Sequence, residues 1–155
     1  MASINIIDYE DQYQQIVKEL NYEWLLKYDL LEPMDDEFLN YPRERILNKG
    51  GFILLAETEG KIVGTISAVP IEEGCMELEN FAVSEKMQGQ KIGRMLLEKC
   101  IDIARMSGSS KLTLYTNSQL VNALELYRKM GFNIVEPKER KFMEADMALE
   151  LNIGT

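Results

Sequence analysis

A basic, glycine-containing segment, Gln88-Gly-Gln-Lys-Ile-Gly-Arg94, follows a predicted strand and opens a predicted helix. Gly89 and Gly93 let backbone N–H groups come close to a ligand, and a helix N-terminus adds positive potential. No acidic residue lies between positions 86 and 94, where the chain carries three bases: Lys86, Lys91 and Arg94. This favours an anion site, with a pyrophosphate as the natural ligand, although a solvated loop with a helix-capping glycine fits equally well. The segment is neither a P-loop nor the dinucleotide-binding G-x-G-x-x-G.

Tyr127 is a second residue that could supply chemistry, because a phenol is neutral near pH 7 and can give a proton to a leaving group. Helical spacing puts it on the same face as three apolar residues: Leu120, Ala123 and Leu124. A tyrosine on an apolar face is more often a core residue whose hydroxyl is hydrogen-bonded. Residue type and spacing alone leave both roles open.

The 155 residues include no histidine, which excludes several classes of active site. Ser-His-Asp and Cys-His nucleophile pairs are excluded, as is histidine-ligated zinc. Any general acid or base must then be a carboxylate, tyrosine, lysine, cysteine, a backbone group or water. The two cysteines, Cys75 and Cys100, form no C-x-x-C pair and are interpreted as structural, and no metal site is predicted.

Charge and composition indicate which classes of partner the protein does not bind. The formal net charge is −9, whereas nucleic-acid-binding proteins usually carry a basic excess. The first residues lack the basic and apolar regions of a signal peptide, and no apolar run is long enough to span a membrane. We therefore expect a reduced, cytoplasmic protein that binds neither nucleic acid nor membrane.

The elements that must position these residues follow from apolar spacing and turn residues. A strand at 4–7 is predicted to precede a helix over 11–28 and a shorter helix after Asp35. Three strands (52–56, 62–69 and 76–83), a helix (92–106), a strand (111–116) and a helix (119–130) are predicted next. Two final strands, Ile134-Val135 and Phe142–Leu151, complete one α/β domain with a mixed sheet over residues 1–155.

The two chemical segments combine into a pattern that resembles the GNAT superfamily of acetyl-CoA-dependent N-acetyltransferases. Its elements are Met76–Val83, the Q-x-x-x-x-G that begins at Gln88, and the downstream TN…A-L-x-L-Y-x-x-x-G-F that ends at Phe132. The resemblance covers residues 52–135 closely. It implies a single GNAT-like domain, with a mixed, mostly antiparallel twisted sheet flanked by helices on both faces. It also implies transfer of an acetyl group from acetyl-CoA to a primary amine by direct attack.

The resemblance implies a cofactor site and a general acid, position by position. Backbone groups of Phe81, Ala82 and Val83 would pair with the pantetheine arm and polarise the thioester carbonyl. Amides of one continuous segment would hold the pyrophosphate: Gln88, Gly89, Gln90, Lys91, Ile92, Gly93 and Arg94. Asn117 would contact the cofactor, and Tyr127 would bind it and protonate the departing thiolate. Lys91 departs from the family's glycine, so it either adopts a positive φ at a cost of about 1 kcal/mol or adds a phosphate contact.

The catalytic base is the least determined role. Glu77 occupies a strand position where some members of the superfamily have a catalytic glutamate, and strand alternation predicts that Glu77, Glu79, Phe81 and Val83 share one face. The alternatives are a water chain, or that Glu77 and Glu79 are solvated or ion-paired carboxylates at a strand end.

An acidic segment, residues 8–37, bears on the charge of the acceptor amine. Its ten acids and two bases give a local charge of −8. Most of these acids are expected to coat helix surfaces, but one or two near the cleft would attract a cationic amine, either a small molecule or a peptide. Trp24, Tyr28 and Tyr41 are candidate pocket residues, although Trp24 and Tyr28 fit the core better. Members of the superfamily are often dimers, so a homodimer is one expected state. The alternative function is a non-catalytic acyl-CoA-binding sensor or interaction module.

Overall fold

Strands and hairpin turns organise the chain into one seven-stranded sheet in the computed structural model, which describes residues 3–137 and 143–154. Neighbouring strands follow the order β1-β2-β3-β4-β5-β7-β6, and β4 and β5 are the parallel pair among otherwise antiparallel neighbours. The strands are β1 (Asn5–Asp8), β2 (Phe52–Thr58), β3 (Lys61–Glu72), β4 (Cys75–Val83), β5 (Lys111–Thr116), β6 (Asn133–Val135) and β7 (Met147–Asn152).

The four predicted helices occur in the predicted order between these strands, and a short helix at Pro42–Arg45, which was not predicted separately, lies between the second helix and β2. They are α1 (Gln14–Lys27), α2 (Pro33–Asn40), α3 (Pro42–Arg45), α4 (Ile92–Met106) and α5 (Val121–Lys129). The prediction of 92–106 as a helix is confirmed at both ends. The predicted helix over 11–28 begins instead with a 3-10 turn, Asp11–Tyr13.

Two predicted boundaries are wrong for local reasons. The second helix begins at Pro33 rather than after Asp35, because proline suits the first helical position and Glu32 and Asp35 form a capping box around it. The last strand is Met147–Asn152, and Phe142, where it was predicted to begin, lies outside the described residues.

The sheet separates two apolar cores, which confirms a mixed sheet with helices on both faces. The larger core packs α4, Tyr127 and Phe132 against one face. The smaller core packs α1 and α2 against the other face, through Val17 and Phe38. No described helix has the length and apolar content needed to cross a bilayer.

A bulge in β4 changes which residues share a face. Thr65 of β3 lies opposite Ala82, whereas Ser67 lies opposite Glu79, so β4 carries one extra residue between these pairs. Asn80 lies within the bulge with φ 51°, a left-handed conformation that asparagine tolerates better than most residues. The extra residue reverses the alternation along the strand.

The prediction that four β4 residues share one face is therefore wrong. Phe81 and Val83 pack with the larger core, on the same face as Leu78. Glu77 and Glu79 lie on the opposite face, which α1 covers.

Candidate active site

The candidate site is a cleft where the parallel strands β4 and β5 separate. The two strands pair only from Cys75 to Glu77, opposite Lys111 to Thr113. Beyond this point β4 continues to Val83 and β5 continues to Thr116, and the gap between them is an open cleft. Beyond Glu77 this edge of β4 pairs with no described strand, which leaves room for an extended ligand beside it. The cleft wall draws residues from four regions of the chain: Asn21, Leu25, Leu30, Glu32, Asp35, Leu78, Glu79, Asn80, Phe81, Leu114, Tyr115, Thr116, Asn117, Leu120, Ala123, Tyr127, Glu144 and Ala145.

The carboxyl end of β4 leads directly into the predicted anion-binding segment. A 3-10 turn, Glu85–Met87, connects Val83 to this segment, and Lys91 is the N-cap of α4. Gly89 has φ 83° and Lys91 has φ 64°, so both adopt the left-handed conformation that turns the chain into the helix. Of the two expectations for Lys91, the positive φ is therefore present, on a residue that has a Cβ.

The segment presents its basic side chains to solvent and its apolar side chain to the core. Ile92 is buried, whereas Lys86, Lys91 and Arg94 are exposed. Arg94 donates to Glu98 one turn later, at 2.8 Å. The α4 N-terminus adds a partial positive charge beside the exposed ammonium groups of Lys86 and Lys91.

Gly93 has a packing role that the sequence did not reveal. A Cβ at this position would lie 3.3 Å from Phe81 Cζ and 3.4 Å from Leu126 Cδ2. Glycine therefore lets the first turn of α4 approach both the end of β4 and α5, on the side that faces the protein interior.

Val83 and Gln88 form part of a hydrogen-bonded turn. The Val83 carbonyl accepts hydrogen bonds from Trp24 Nε1 at 2.8 Å and from Gln88 Nε2 at 3.2 Å. Both lone pairs of this carbonyl are thus used within the protein. Ala82 is buried and Phe81 lines the cleft.

Tyr127 is both a core residue and part of the cleft wall. It is 5% exposed and packs between Phe81 and Phe132, with ring centroids 6.0 Å and 5.5 Å away. Burial, with a smaller contribution from Cys100, raises the pKa of the Tyr127 phenol above its ordinary value. The phenol therefore keeps its proton at neutral pH. The two roles that the sequence left open, core residue and proton donor, are compatible at this position.

Asn117 lies at the end of β5, with its side chain engaged in local hydrogen bonds. Its Nδ2 donates to the Glu144 carbonyl at 2.7 Å, and its Oδ1 accepts from the Gln119 amide at 2.9 Å. These bonds connect the turn after β5 to the segment before β7. Asn117 lines the cleft, and its side chain shapes the cleft wall.

The two β4 carboxylates occupy different positions relative to the cleft. Glu77 is 3% exposed and lies opposite Thr113 in the part of β4 that still pairs with β5. Glu79 is 5% exposed and lines the cleft. Of the two, the carboxylate at position 79 is the one that a ligand in the cleft can approach.

Three further carboxylates line the same cleft: Glu32, Asp35 and Glu144. Glu32 accepts hydrogen bonds from the backbone amides of Met143 and Glu144, each at 2.8 Å, and so joins the start of α2 to the segment before β7. Burial raises the pKa of Asp35 to about 6. The sequence missed Glu144 and the cleft position of Asn80.

The other acids of the 8–37 segment that form hydrogen bonds or ion pairs do so away from the cleft wall. Asp11 pairs with Arg43, Glu37 pairs with Arg45, and Asp36 accepts from the Tyr22 hydroxyl. Glu23 accepts from the Glu85 amide. The expectation that only one or two of these acids reach the site agrees with Glu32 and Asp35, the members of the segment on the cleft wall.

The aromatic pocket candidates lie outside the cleft wall. Trp24 and Tyr28 are half-buried and stacked, with ring centroids 6.3 Å apart, and Tyr41 is 52% exposed. Across residues 3–137 and 143–154, no group of three or more histidine, cysteine or acidic residues is arranged to hold a metal ion.

Sequence comparisons relate the chain to acetyltransferases. A model of the acetyltransferase (GNAT) family matches residues 12–132. The chain is 29% identical over 129 residues to an uncharacterized N-acetyltransferase of Schizosaccharomyces pombe, which covers 82% of this chain and 78% of that protein. It is 34% identical over 91 residues to N-acetyltransferase family 8 member 2 of Rattus norvegicus. That match covers 56% of this chain and only 40% of the rat protein.

Structural comparisons agree on the fold. A GNAT-family acetyltransferase from Staphylococcus aureus superposes with a TM-score of 0.88 at 24% identity, over 97% of this chain and 99% of that chain. A putative acetyltransferase from Salmonella typhimurium, solved with acetyl-CoA, superposes with a TM-score of 0.77 at 20% identity, over 97% of this chain and 94% of that chain. At these identities the likeness shows the fold alone.

Proposed function

The chain belongs to the acetyltransferase (GNAT) family, and on that premise we propose that it transfers an acetyl group from acetyl-CoA to a primary amine. The observation that carries the proposal is the cleft between β4 and β5. It brings Glu79, Phe81, Asn117 and Tyr127 together at the end of the strand that leads into the α4 N-terminus.

The residues of this chain fit acetyl-CoA as the co-substrate. The amides of 88–94, at a helix N-terminus with exposed cations, suit a pyrophosphate. The edge of β4 that β5 does not cover suits an extended pantetheine arm with amide groups of its own. Because the Val83 carbonyl already accepts two hydrogen bonds, we assign the arm to the β4 backbone nearer the bulge, around Asn80 and Phe81.

In the proposed reaction, the neutral amine nitrogen attacks the thioester carbonyl carbon directly. The C–S bond then breaks, and its electron pair leaves on sulfur. Tyr127 gives its phenolic proton to the thiolate, and its raised pKa keeps that proton in place until negative charge develops on the sulfur. The proposal has no covalent acyl-enzyme, because the described cleft wall contains no serine, cysteine or lysine, and its one threonine, Thr116, has no histidine in the chain to activate it.

The amine must also lose a proton, and here the geometry favours a different residue from the one the sequence suggested. Glu79 lines the cleft, whereas Glu77 lies behind it in the paired part of the sheet. We propose that Glu79 accepts the proton, directly or through one water. The assignment of Glu77 as the base stays a prediction that the same experiments test.

The proposed acceptor is a cationic amine. Four carboxylates line the cleft: Glu32, Asp35, Glu79 and Glu144. The cofactor's anionic end is assigned to the basic end of the molecule at Lys86, Lys91 and Arg94, so the two substrates would meet fields of opposite sign. Polyamines, aminoalkyl compounds and lysine-like side chains have the required charge.

Two measurements test the proposal together. Isothermal titration with acetyl-CoA reports binding, and a thiol-release assay over cationic, neutral and anionic amines reports turnover. Binding with turnover on a cationic amine supports the enzyme. Binding without turnover on any amine indicates the sensor or interaction module instead, and absence of binding refutes the cofactor assignment. Longer acyl-CoA donors in the same assay determine the acyl preference.

A salt series tests the charge of the acceptor. Exposed charges are screened beyond about 8 Å at physiological ionic strength, so kcat/KM for a cationic amine should fall as salt rises. A neutral amine should respond much less. Equal responses from the two amines would remove electrostatic selection from the proposal and leave acetyl transfer intact.

A further inference from the structure

Trp24, the chain's only tryptophan, connects helix α1 to the end of strand β4. Its indole Nε1 donates to the Val83 carbonyl at 2.8 Å across 59 positions of sequence. The same carbonyl accepts from Gln88 Nε2 at 3.2 Å, so the last residue of β4 is held both from α1 and from the first residue of the anion-binding segment.

Two neighbours of Trp24 on α1 bind the next turn of the chain. Glu23 Oε1 accepts from the Glu85 amide at 2.9 Å, and Lys27 pairs with the Glu85 carboxylate. The Lys27 ammonium also lies 5.3 Å from the Trp24 ring centroid and 5.7 Å from that of Tyr28. One side of α1 therefore binds Val83 and Glu85, where β4 ends and the 3-10 turn toward Gln88 begins.

We propose that Trp24 is a positioning residue for coenzyme A. By fixing the direction of the Val83 carbonyl, it sets where the Glu85–Met87 turn and the amides of 88–94 lie relative to the cleft. The Trp24 bond joins a half-buried ring to a buried residue, whereas the two bonds from α1 to Glu85 involve exposed side chains, for which water competes. Trp24 is therefore the member of the group that defines the geometry.

The same helix also forms part of the acceptor side of the cleft. Asn21 and Leu25, which flank Trp24 on α1, line the cleft wall. One helix thus contacts both the cleft wall and the turn that leads to residues 88–94. The inference rests on the proposed function in one respect, that coenzyme A is the ligand of the 88–94 segment.

The test removes the indole N–H and keeps an aromatic ring at position 24. Trp24→Phe retains an aromatic face for Tyr28 and Lys27 but cannot donate to Val83. The matched control is Tyr28→Phe, which alters the stacked neighbour by one hydroxyl and leaves the Val83 bond in place. Because Trp24 is the only tryptophan, a tryptophan auxotroph can also supply 3-benzothienylalanine, an isostere whose sulfur replaces the N–H.

We expect the dissociation constant for coenzyme A, measured by titration calorimetry, to rise about three- to tenfold in Trp24→Phe and in the benzothienyl protein, the effect of one neutral hydrogen bond. KM for acetyl-CoA should rise with it while kcat changes less than twofold. Tyr28→Phe should match the wild type in both.

Several outcomes overturn the inference. If both Trp24 replacements melt earlier but bind coenzyme A as the wild type does, Trp24 serves stability alone. If kcat falls and KM does not change, the residue acts on chemistry rather than on positioning. If the benzothienyl protein binds normally and only Trp24→Phe is weakened, packing of the ring and not the N–H is responsible. If the wild type fails to bind coenzyme A, the proposed function fails first, and the inference falls with it.

Discussion

Replacing Lys91 by glycine should stabilise the protein and weaken its hold on the cofactor, because position 91 combines a strained backbone with a cation. Lys91 has φ 64° and ψ 18° at the N-cap of α4. A left-handed backbone costs a residue with a Cβ roughly 1–2 kcal/mol relative to glycine. Glycine also makes the unfolded chain more flexible, which lowers the free energy of unfolding by about 0.4–1 kcal/mol and offsets part of this gain. The net gain should be about 0.5–1 kcal/mol, which for a chain of this length is a rise in Tm of roughly 1–4 °C.

The matched variant is Lys91→Ala, which removes the charge but keeps the Cβ and its strain. Its Tm should stay within about 1 °C of the wild type, because an exposed side chain is lost without backbone relief. Both variants lose the ammonium, so both should bind coenzyme A about two- to fivefold more weakly at low salt, the effect of an exposed ion pair. The difference from the wild type should shrink as salt rises.

Thermal melts and calorimetric titrations of these three proteins separate strain from charge. If Lys91→Gly is no more stable than Lys91→Ala, the left-handed conformation carries no cost at position 91. If the glycine variant alone loses affinity, flexibility of the loop controls binding and the cation has no role. Unchanged affinity in both variants would remove Lys91 from the anion site.

Other residues give independent tests. Tyr127→Phe keeps the ring between Phe81 and Phe132, so coenzyme A affinity should hold while turnover falls roughly 10²–10⁴-fold; wild-type turnover would move the proton source to water. Glu79→Gln should remove the fall in kcat/KM at low pH that protonation of the base causes, whereas Glu77→Gln should leave the shape of the pH profile unchanged. The opposite result would restore Glu77 as the base. Asp35 has its pKa raised from 3.8 to about 6, so between these values the native state holds a proton that the unfolded chain has released, and stability should fall as pH rises through that window. Asp35→Asn should flatten this dependence in denaturant melts at pH 4 and pH 7, and an equally steep dependence in the variant would place its source elsewhere.

The sequence alone was enough to predict the order of the strands and of the four longer helices, and to place residues 88–94 at the turn that leads into α4. These features depend on neighbours in the chain. The apolar period of 3.6 residues predicted α4 at both ends, and the glycines and bases around Lys91 marked a turn into a helix N-terminus. Tyr127 was predicted from its helical face and from the motif around it, and the structure gives it both the core and the cleft position that those two arguments required.

The tertiary structure decided which side chains meet at the cleft. One inserted residue near Asn80 reverses the faces of β4, because side chains of a strand alternate with a period of two, and nothing in the local pattern indicates where a bulge occurs. Glu79 consequently lines the cleft beneath α1, while Phe81 packs against Tyr127 on the other side of the sheet. The bond from Trp24 to Val83 depends on how α1 packs across the sheet, since the two residues are 59 positions apart. Glu32 and Met143 meet across 111 positions for the same reason. Such contacts are fixed by long-range packing, which periodicity and motif spacing do not encode.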